Sequence, residues 1–210
     1  GYFQATEVEI ILSLLQVIDN PRQDIPLASV LRSPILGLSE EEMAQVRLCA
    51  KGTYYDALKA AAALGGLAPV LDSERSLGLV DGKWTPGTEL ESMAEAAAGH
   101  ELVAGSSSSA SMRMNGPNVE ISTELGTKLG LFMDRLRRWR QEARQGSLSE
   151  LIWGIYSETG YLDWIGGLPG GKQRQGNLTA LYDRAVQYEQ DTSSRGLFRF
   201  LTFVSRLRER

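Results

Sequence analysis

From Glu7 to Asp19 the chain places Val8, Ile10, Ile11, Leu12, Leu14, Leu15, Val17 and Ile18 on nearly every side of a helical wheel. That pattern predicts a buried central helix. Asn20-Pro21 ends it, because proline biases the residue before it away from helical backbone. Pro26 then suits a first helical turn, with Leu27, Val30 and Leu31 inward until Ser33-Pro34. Gly37-Leu38-Ser39 turns the chain into another helix. Ser39 and Glu42 form an S-x-x-E capping box at its start, and Met43, Val46 and Ala50 lie on one face. Thr53 caps a helix over Tyr54 to Leu64, which Gly65-Gly66 terminates.

The longest helical pattern starts at Asn118 or Ser122. Leu125, Leu129, Phe132, Leu136, Trp139 and Ala143 alternate spacings of four and three. This is an a/d seam on one helix from about 119 to 145, roughly 40 Å long at 1.5 Å per residue. Gly126 and Gly130 weaken it by about 1 kcal/mol each relative to Ala. Gly146 caps its end. Ser147 with Glu150 makes a second capping box, opening a helix that buries Leu148, Leu151, Ile152 and Ile155 and ends at Gly160. Asn177 reads as the N-cap of a helix with Leu178, Leu181, Tyr182, Ala185 and Val186 on one face. Gly196 opens a last helix with Leu197, Phe200, Leu201, Val204 and Leu207 inward. No segment sustains period-two alternation, so the chain is read as all-α.

Residues 67–118 break this order. They hold Gly82, Pro86-Gly87, an alanine-rich run at 94–98 and the run from Gly105 to Ser111. The serine run has linker composition, which predicts a flexible Ser/Gly-rich loop near 103–117 within a variable, partly disordered insertion over 67–118. The remainder reads as a single helical domain over 1–210.

Composition narrows the chemistry. The 210 residues include one cysteine, Cys49, and one histidine, His100. A lone cysteine forms no internal disulfide, which fits a reducing cytoplasm. A multi-Cys/His zinc site is excluded. A nucleophilic triad would have to use His100, which lies in Ala-Gly-His-Glu-Leu without a nucleophile elbow and reads as a solvated surface residue. No apolar run approaches the eighteen or so residues of a membrane span. Gly1 stands where an initiator Met would stand, and the chain opens almost directly into the apolar helix; it reads as a piece of a longer protein.

The net charge of −4 conceals a polarity. The first half, 1–105, carries seven basic against fifteen acidic residues, and 106–210 carries fifteen against eleven. Such a chain presents an anion-facing surface in its second half despite an acidic pI.

Four features are candidate sites. Gly166 to Gln173 fits G-x-x-x-x-G-K, but Gln173 stands where Ser or Thr should bind magnesium, and a helix precedes it where a strand is needed. It reads as a glycine-rich turn with two exposed cations, Lys172 and Arg174, placed to touch a phosphate backbone. On the long helix, Arg137, Arg140 and Arg144 lie on one flank of the seam, and Arg135 and Arg138 on the other. They form either a solvated face or an electrostatic contact for nucleic acid or an acidic partner. The turn around Gly37 delivers a helix N-terminus of the kind that binds phosphate, although Glu40, Glu41 and Glu42 in its first turn would repel one. The aromatic set Trp139, Trp153, Trp164, Tyr156, Tyr161, Phe198, Phe200 and Phe203 is core, or a stacking platform for bases. None of these is a catalytic, cofactor or metal centre.

The run from Tyr2 to Pro34, with Asp19-Asn20-Pro21-Arg-Gln-Asp24-Ile-Pro26-Leu and Val30-Leu-Arg32-Ser33-Pro34, resembles the UvrD-like superfamily 1 DNA helicases just after their fourth helicase motif. In its long form it is similar to the AddAB (RexAB) helicase–nucleases. Thr159-Gly160-Tyr161, Leu168-Pro169-Gly170-Gly171, Asn177-Leu178, Arg184-Ala185, Tyr188-Glu189 and Gly196-Leu197-Phe198-Arg-Phe200-Leu201 match as well. The resemblance covers 2–66 and 125–207 well, and 67–124 poorly. It implies the accessory 2B-type subdomain, a helical insertion in the second RecA-like motor domain near duplex DNA. It implies a glycine turn at Leu36-Gly37-Leu38 that touches duplex phosphates. It further implies an enzymatic parent, an ATP- and Mg-dependent helicase/nuclease acting on double-strand breaks for recombinational repair. Partners would be double-stranded DNA, the motor and nuclease domains of the same chain, and an AddB-type second subunit. The segment itself, without the parent's ATP-binding and nuclease motifs, is expected to be inactive. The alternative is a stand-alone α-helical interaction module with no DNA role.

Overall fold

The helix predicted between Glu7 and Asp19 runs from Thr6 to Asp19 (α1) in a computed structural model, which describes residues 2–65, 121–191 and 196–208. After α1 come α2 (Asp24–Arg32), α3 (Glu40–Leu48) and α4 (Tyr54–Leu64). Beyond the 66–120 stretch follow α5 (Thr123–Gln145), α6 (Leu148–Thr159), α7 (Tyr161–Gly166), α8 (Gly171–Asp191) and α9 (Leu197–Arg208). A turn of 3-10 helix, Tyr2–Gln4, precedes α1. No strand occurs among the described residues, and the fold is all-α. The expectations for 67–118, for the loop near 103–117 and for His100 fall outside the described residues.

The all-round apolar pattern of α1 has its expected consequence. Val8, Ile11, Leu14, Leu15 and Val17 are fully buried, and α1 packs against α2, α5, α8 and α9. The seam of α5 is core as well: Leu125, Leu129, Phe132, Leu136 and Trp139 are buried, with Ala143 partly covered at the far end. α5 begins at Thr123, with the Ser122 hydroxyl accepting the Leu125 N–H at 3.2 Å, so the second of the two expected starts is the one used.

Gly126 has a packing purpose that the helix propensity scale does not show. α5 lies against α4, and the Gly126 and Gly65 backbones touch, so that a Cβ on either would penetrate the other's backbone. The helix that loses backbone stability to glycine thereby gains a close crossing. The chain leaves the described core at Gly65 and re-enters it beside the same point.

Three expectations need correction. Asn177 does not begin a helix. α8 starts at Gly171, and Asn177 lies inside it, with its amide donating to the Glu7 carboxylate at 2.7 Å. A good capping residue is thus used for a tertiary bond. The Ser147–Glu150 box is half formed. Ser147 Oγ accepts the Glu150 N–H at 3.4 Å, but the carboxylate at the helix start comes from Glu189 on α8. Finally, the segment after Gly160 is itself a short helix, α7, which its Gly-rich flanks disguised.

Candidate nucleic-acid interface

The Leu36-Gly37-Leu38 turn owes its shape to Gly37, whose φ of +65° lies in the left-handed region. Its donors are already engaged. Leu36 N–H and Gly37 N–H both donate to Ser33 O, at 3.1 and 2.7 Å, and Leu38 N–H donates to Leu31 O at 2.9 Å. The α3 start beyond it carries the full capping box: Glu42 N–H to Ser39 Oγ at 3.1 Å, and Ser39 N–H to Glu42 Oε2 at 2.7 Å. Lys128 of α5 approaches the same Glu42 at 3.5 Å, and Arg32 pairs with Glu40 at 3.0 Å. The turn therefore offers a fixed, exposed glycine but no free backbone N–H of its own.

The arginines of α5 divide by partner. Arg138 reaches Glu158 of α6 at 2.8 Å, and Arg137 pairs with Asp134 one turn back at 3.2 Å. Arg144 is exposed, with no ion-pair partner among the described residues. Arg140 is half-buried, and its Nη1 is fully covered without a hydrogen-bond acceptor. A covered guanidinium nitrogen with no acceptor is costly, because its lost hydration is not replaced. Arg137, Arg140 and Arg144 span seven positions, about 10 Å along one flank.

The Gly166–Gln173 turn joins two helices, α7 and α8, with Gly170 at φ +71°. A phosphate loop needs a strand before it and a hydroxyl after its lysine. Neither is present, and these residues do not fit ATP. Lys172 is exposed and unpaired among the described residues. Arg174 is turned inward: its Nη1 meets Glu7 Oε2 at 3.2 Å and its Nε donates to Pro169 O at 3.4 Å.

Glu7 is the functional-looking residue that the pattern of α1 hid. It is buried, and it joins Arg174 and Asn177 of α8 to α1. The Tyr161 hydroxyl lies 3.5 Å from Glu7 O, and burial first, then the Glu7 charge, push that phenol above its ordinary value. The available signal was a carboxylate in an otherwise apolar helix. Glu189 is the second such group. Its carboxylate accepts from Ser147 Oγ (2.9 Å), Ser149 Oγ (2.6 Å), Ser149 N–H (3.3 Å) and Leu148 N–H. Burial raises its pKa, but these bonds, led by Ser149 Oγ, outweigh it and hold the carboxyl below the usual carboxylate range. Both groups are structural.

The expected contact residues therefore fall at separate places. Arg144 lines a groove of about 1030 Å³ with Glu189, near the C-terminal end of α8. Lys172 stands at the other end of α8, seventeen residues and roughly 25 Å away along the helix axis. Gly37 lies near the first third of α5, whereas Arg144 is in its last turn. Only the α5 flank is a continuous basic strip. Among the described residues, no group of three or more His, Cys, Asp or Glu is placed to hold a metal, and no helix is long and apolar enough to cross a membrane.

No family model matches the chain. Over 211 aligned residues, its whole length, it is 44% identical to the AddA subunit of the ATP-dependent helicase/nuclease of Bacillus cytotoxicus. It is equally similar to the proteins of that name from Bacillus cereus and Oceanobacillus iheyensis. It spans 13% of the length of each of these relatives. The match runs through 67–124 as well as through the two blocks that carried the resemblance. By sequence, the chain is thus related from end to end to one segment of the AddA family of ATP-dependent helicase/nuclease subunits.

Proposed function

We propose that this chain is a non-catalytic helical subdomain, of the 2B type, in a cytoplasmic ATP-dependent DNA helicase/nuclease that processes double-strand breaks for recombinational repair. The observation that carries this is its 44% identity, end to end, to a segment of relatives named as the AddA subunit of that enzyme. ATP and Mg are bound elsewhere in the parent, where a phosphate loop and acidic ligands supply the chemistry. Its protein partners are the remaining motor and nuclease domains and a second, AddB-type subunit.

The subdomain's part is to hold duplex DNA by its phosphates. Arg140 and Arg144 on the α5 flank, with Arg137 beside them, are the contact, and Lys172 is a separate outlying one. Arg174 positions the α7–α8 turn through Glu7, and Gly37 sets a turn. Phosphate neutralisation is sequence-independent and releases counterions, so affinity falls with salt.

A fluorescence-anisotropy titration of the chain with a forked duplex, at about 50 and 200 mM salt, tests this. The expected dissociation constant is in or beyond the non-specific range of roughly 10⁻⁴–10⁻⁶ M, weakening steeply with salt. An Arg140→Gln/Arg144→Gln variant should bind at least tenfold more weakly with a shallower salt slope. Salt-insensitive binding, or unchanged affinity in that variant, rejects the DNA contact.

A further inference from the structure

Two tryptophans that the helical pattern assigned to the core are open to solvent. Trp153 on α6 is 54% exposed and Trp164 on α7 is 47% exposed. They flank one layer. The Trp153 ring packs on Tyr182 of α8, with centroids 5.6 Å apart. Trp164 stacks on Tyr161 at 6.1 Å, and α7 is tied to α8 by Gln175 Nε2 donating to Leu162 O at 3.0 Å. Gln175 and Tyr182 are seven residues apart, two turns, and so share one face of α8 about 10 Å apart.

The charge around this pair is one-sided. From Gln145 to Gly171 the sequence holds no lysine or arginine. Glu150 and Asp163 are exposed and unpaired among the described residues, as is Asp183 beside Tyr182. Glu158, the third acid of the stretch, already holds Arg138. A base-stacking platform needs cations to track the backbone, and unpaired carboxylates repel phosphates. Exposed tryptophan with tyrosine is instead the composition of protein hot spots, and unpaired surface charge selects a partner of opposite sign.

We infer that the α6–α7 face docks a protein: a segment of the second subunit that carries Lys or Arg between apolar anchors. The anchors cover Trp153 and Trp164, and the cations meet Glu150, Asp163 and Asp183. This rests on the proposed place of the chain in a multi-subunit enzyme, and it separates two jobs by charge, with DNA on the α5 flank and protein on the cation-free face.

The test uses the full-length polypeptide carrying this segment, its purified second subunit, and a forked duplex. Two variants are compared: Trp153→Ser/Trp164→Ser, and Glu150→Gln/Asp163→Asn/Asp183→Asn. Each should weaken association of the two subunits at least tenfold, the second with a flatter salt dependence, while duplex affinity stays within twofold and circular dichroism is unchanged. A benzoylphenylalanine crosslinker at position 153 should join a Lys/Arg-bearing segment of the second subunit. Association unchanged in both variants, no association in the unaltered pair, or a crosslink to DNA or to the same polypeptide overturns the inference. Loss of duplex affinity in the tryptophan variant overturns it in favour of base stacking. The DNA reading fails separately, through the Arg140/Arg144 variant, so the two failures are distinguishable.

Discussion

Glu7 near the start of α1 and Arg174 in the first turn of α8 are 167 positions apart in sequence, and their side chains meet at 3.2 Å. Asn177 completes the grip on the other carboxylate oxygen at 2.7 Å. Glu7 is the only charged residue in the described core, whereas Arg174 remains part-exposed. The pair thus ties a central helix to the α7–α8 turn at a point where a lone carboxylate would be costly.

Glu7→Ala should destabilise the chain by roughly 1.5–3 kcal/mol, the range for hydrogen bonds to a charged group. Glu7→Gln, which keeps an acceptor, should cost less. Urea denaturation measures both as a fall in midpoint at constant slope. A loss below about 0.5 kcal/mol for Glu7→Ala would place the pair among ordinary surface contacts.

Glu189 gives stability a defined pH dependence. Its folded-state pKa is lowered, so the unfolded chain takes up the proton first as pH falls. The stabilisation is fully present above the ordinary carboxylate range and is lost as pH drops through the lowered folded value. Glu189→Gln should therefore cost about 0.5–2 kcal/mol at pH 7, as loss of a helix cap does. The gap between variant and unaltered chain should narrow toward pH 3. Unfolding curves at several pH values decide it, and a gap that is constant with pH would remove the carboxylate from the explanation.

Gly126→Ala would raise intrinsic helix propensity by about 1 kcal/mol in an open helix. Here the new methyl group meets the Gly65 backbone. Net destabilisation of roughly 1–3 kcal/mol is expected, in the range of overpacked sites. Leu136→Ala, in the buried seam of the same helix, should cost roughly 2–5 kcal/mol. Thermal and chemical melts of both variants provide the measurement; a Gly126→Ala protein more stable than the original would mean that α4 and α5 do not cross at these glycines.

The G-x-x-x-x-G-K turn should show no nucleotide chemistry. With single-stranded DNA present, the isolated chain is expected to give no ATP turnover, because the turn joins two helices and Gln173 offers no hydroxyl. Turnover that disappears in Lys172→Ala would contradict this geometry.

The helices, their caps and the buried seam were legible in the sequence because each depends on neighbours three or four residues away. The periodicity from Leu125 to Trp139 marks a core face wherever that helix packs, and Ser39 with Glu42 closes its box without outside help. Likeness to the helicase/nuclease family was legible too, since it resides in residue order. What the tertiary structure decided was partner choice. Local pattern placed Asn177 at a helix start, Arg174 on the surface and Glu150 in a capping box. The fold gives Asn177 and Arg174 to Glu7, and gives the cap at Ser147 to Glu189. It also sets Trp153 and Trp164 outward, leaves Arg140 Nη1 covered without an acceptor, and moves Lys172 and Arg144 to opposite ends of α8. These outcomes depend on which helices pack together. Side-chain periodicity repeats within each helix and carries no information about which distant helix will face it.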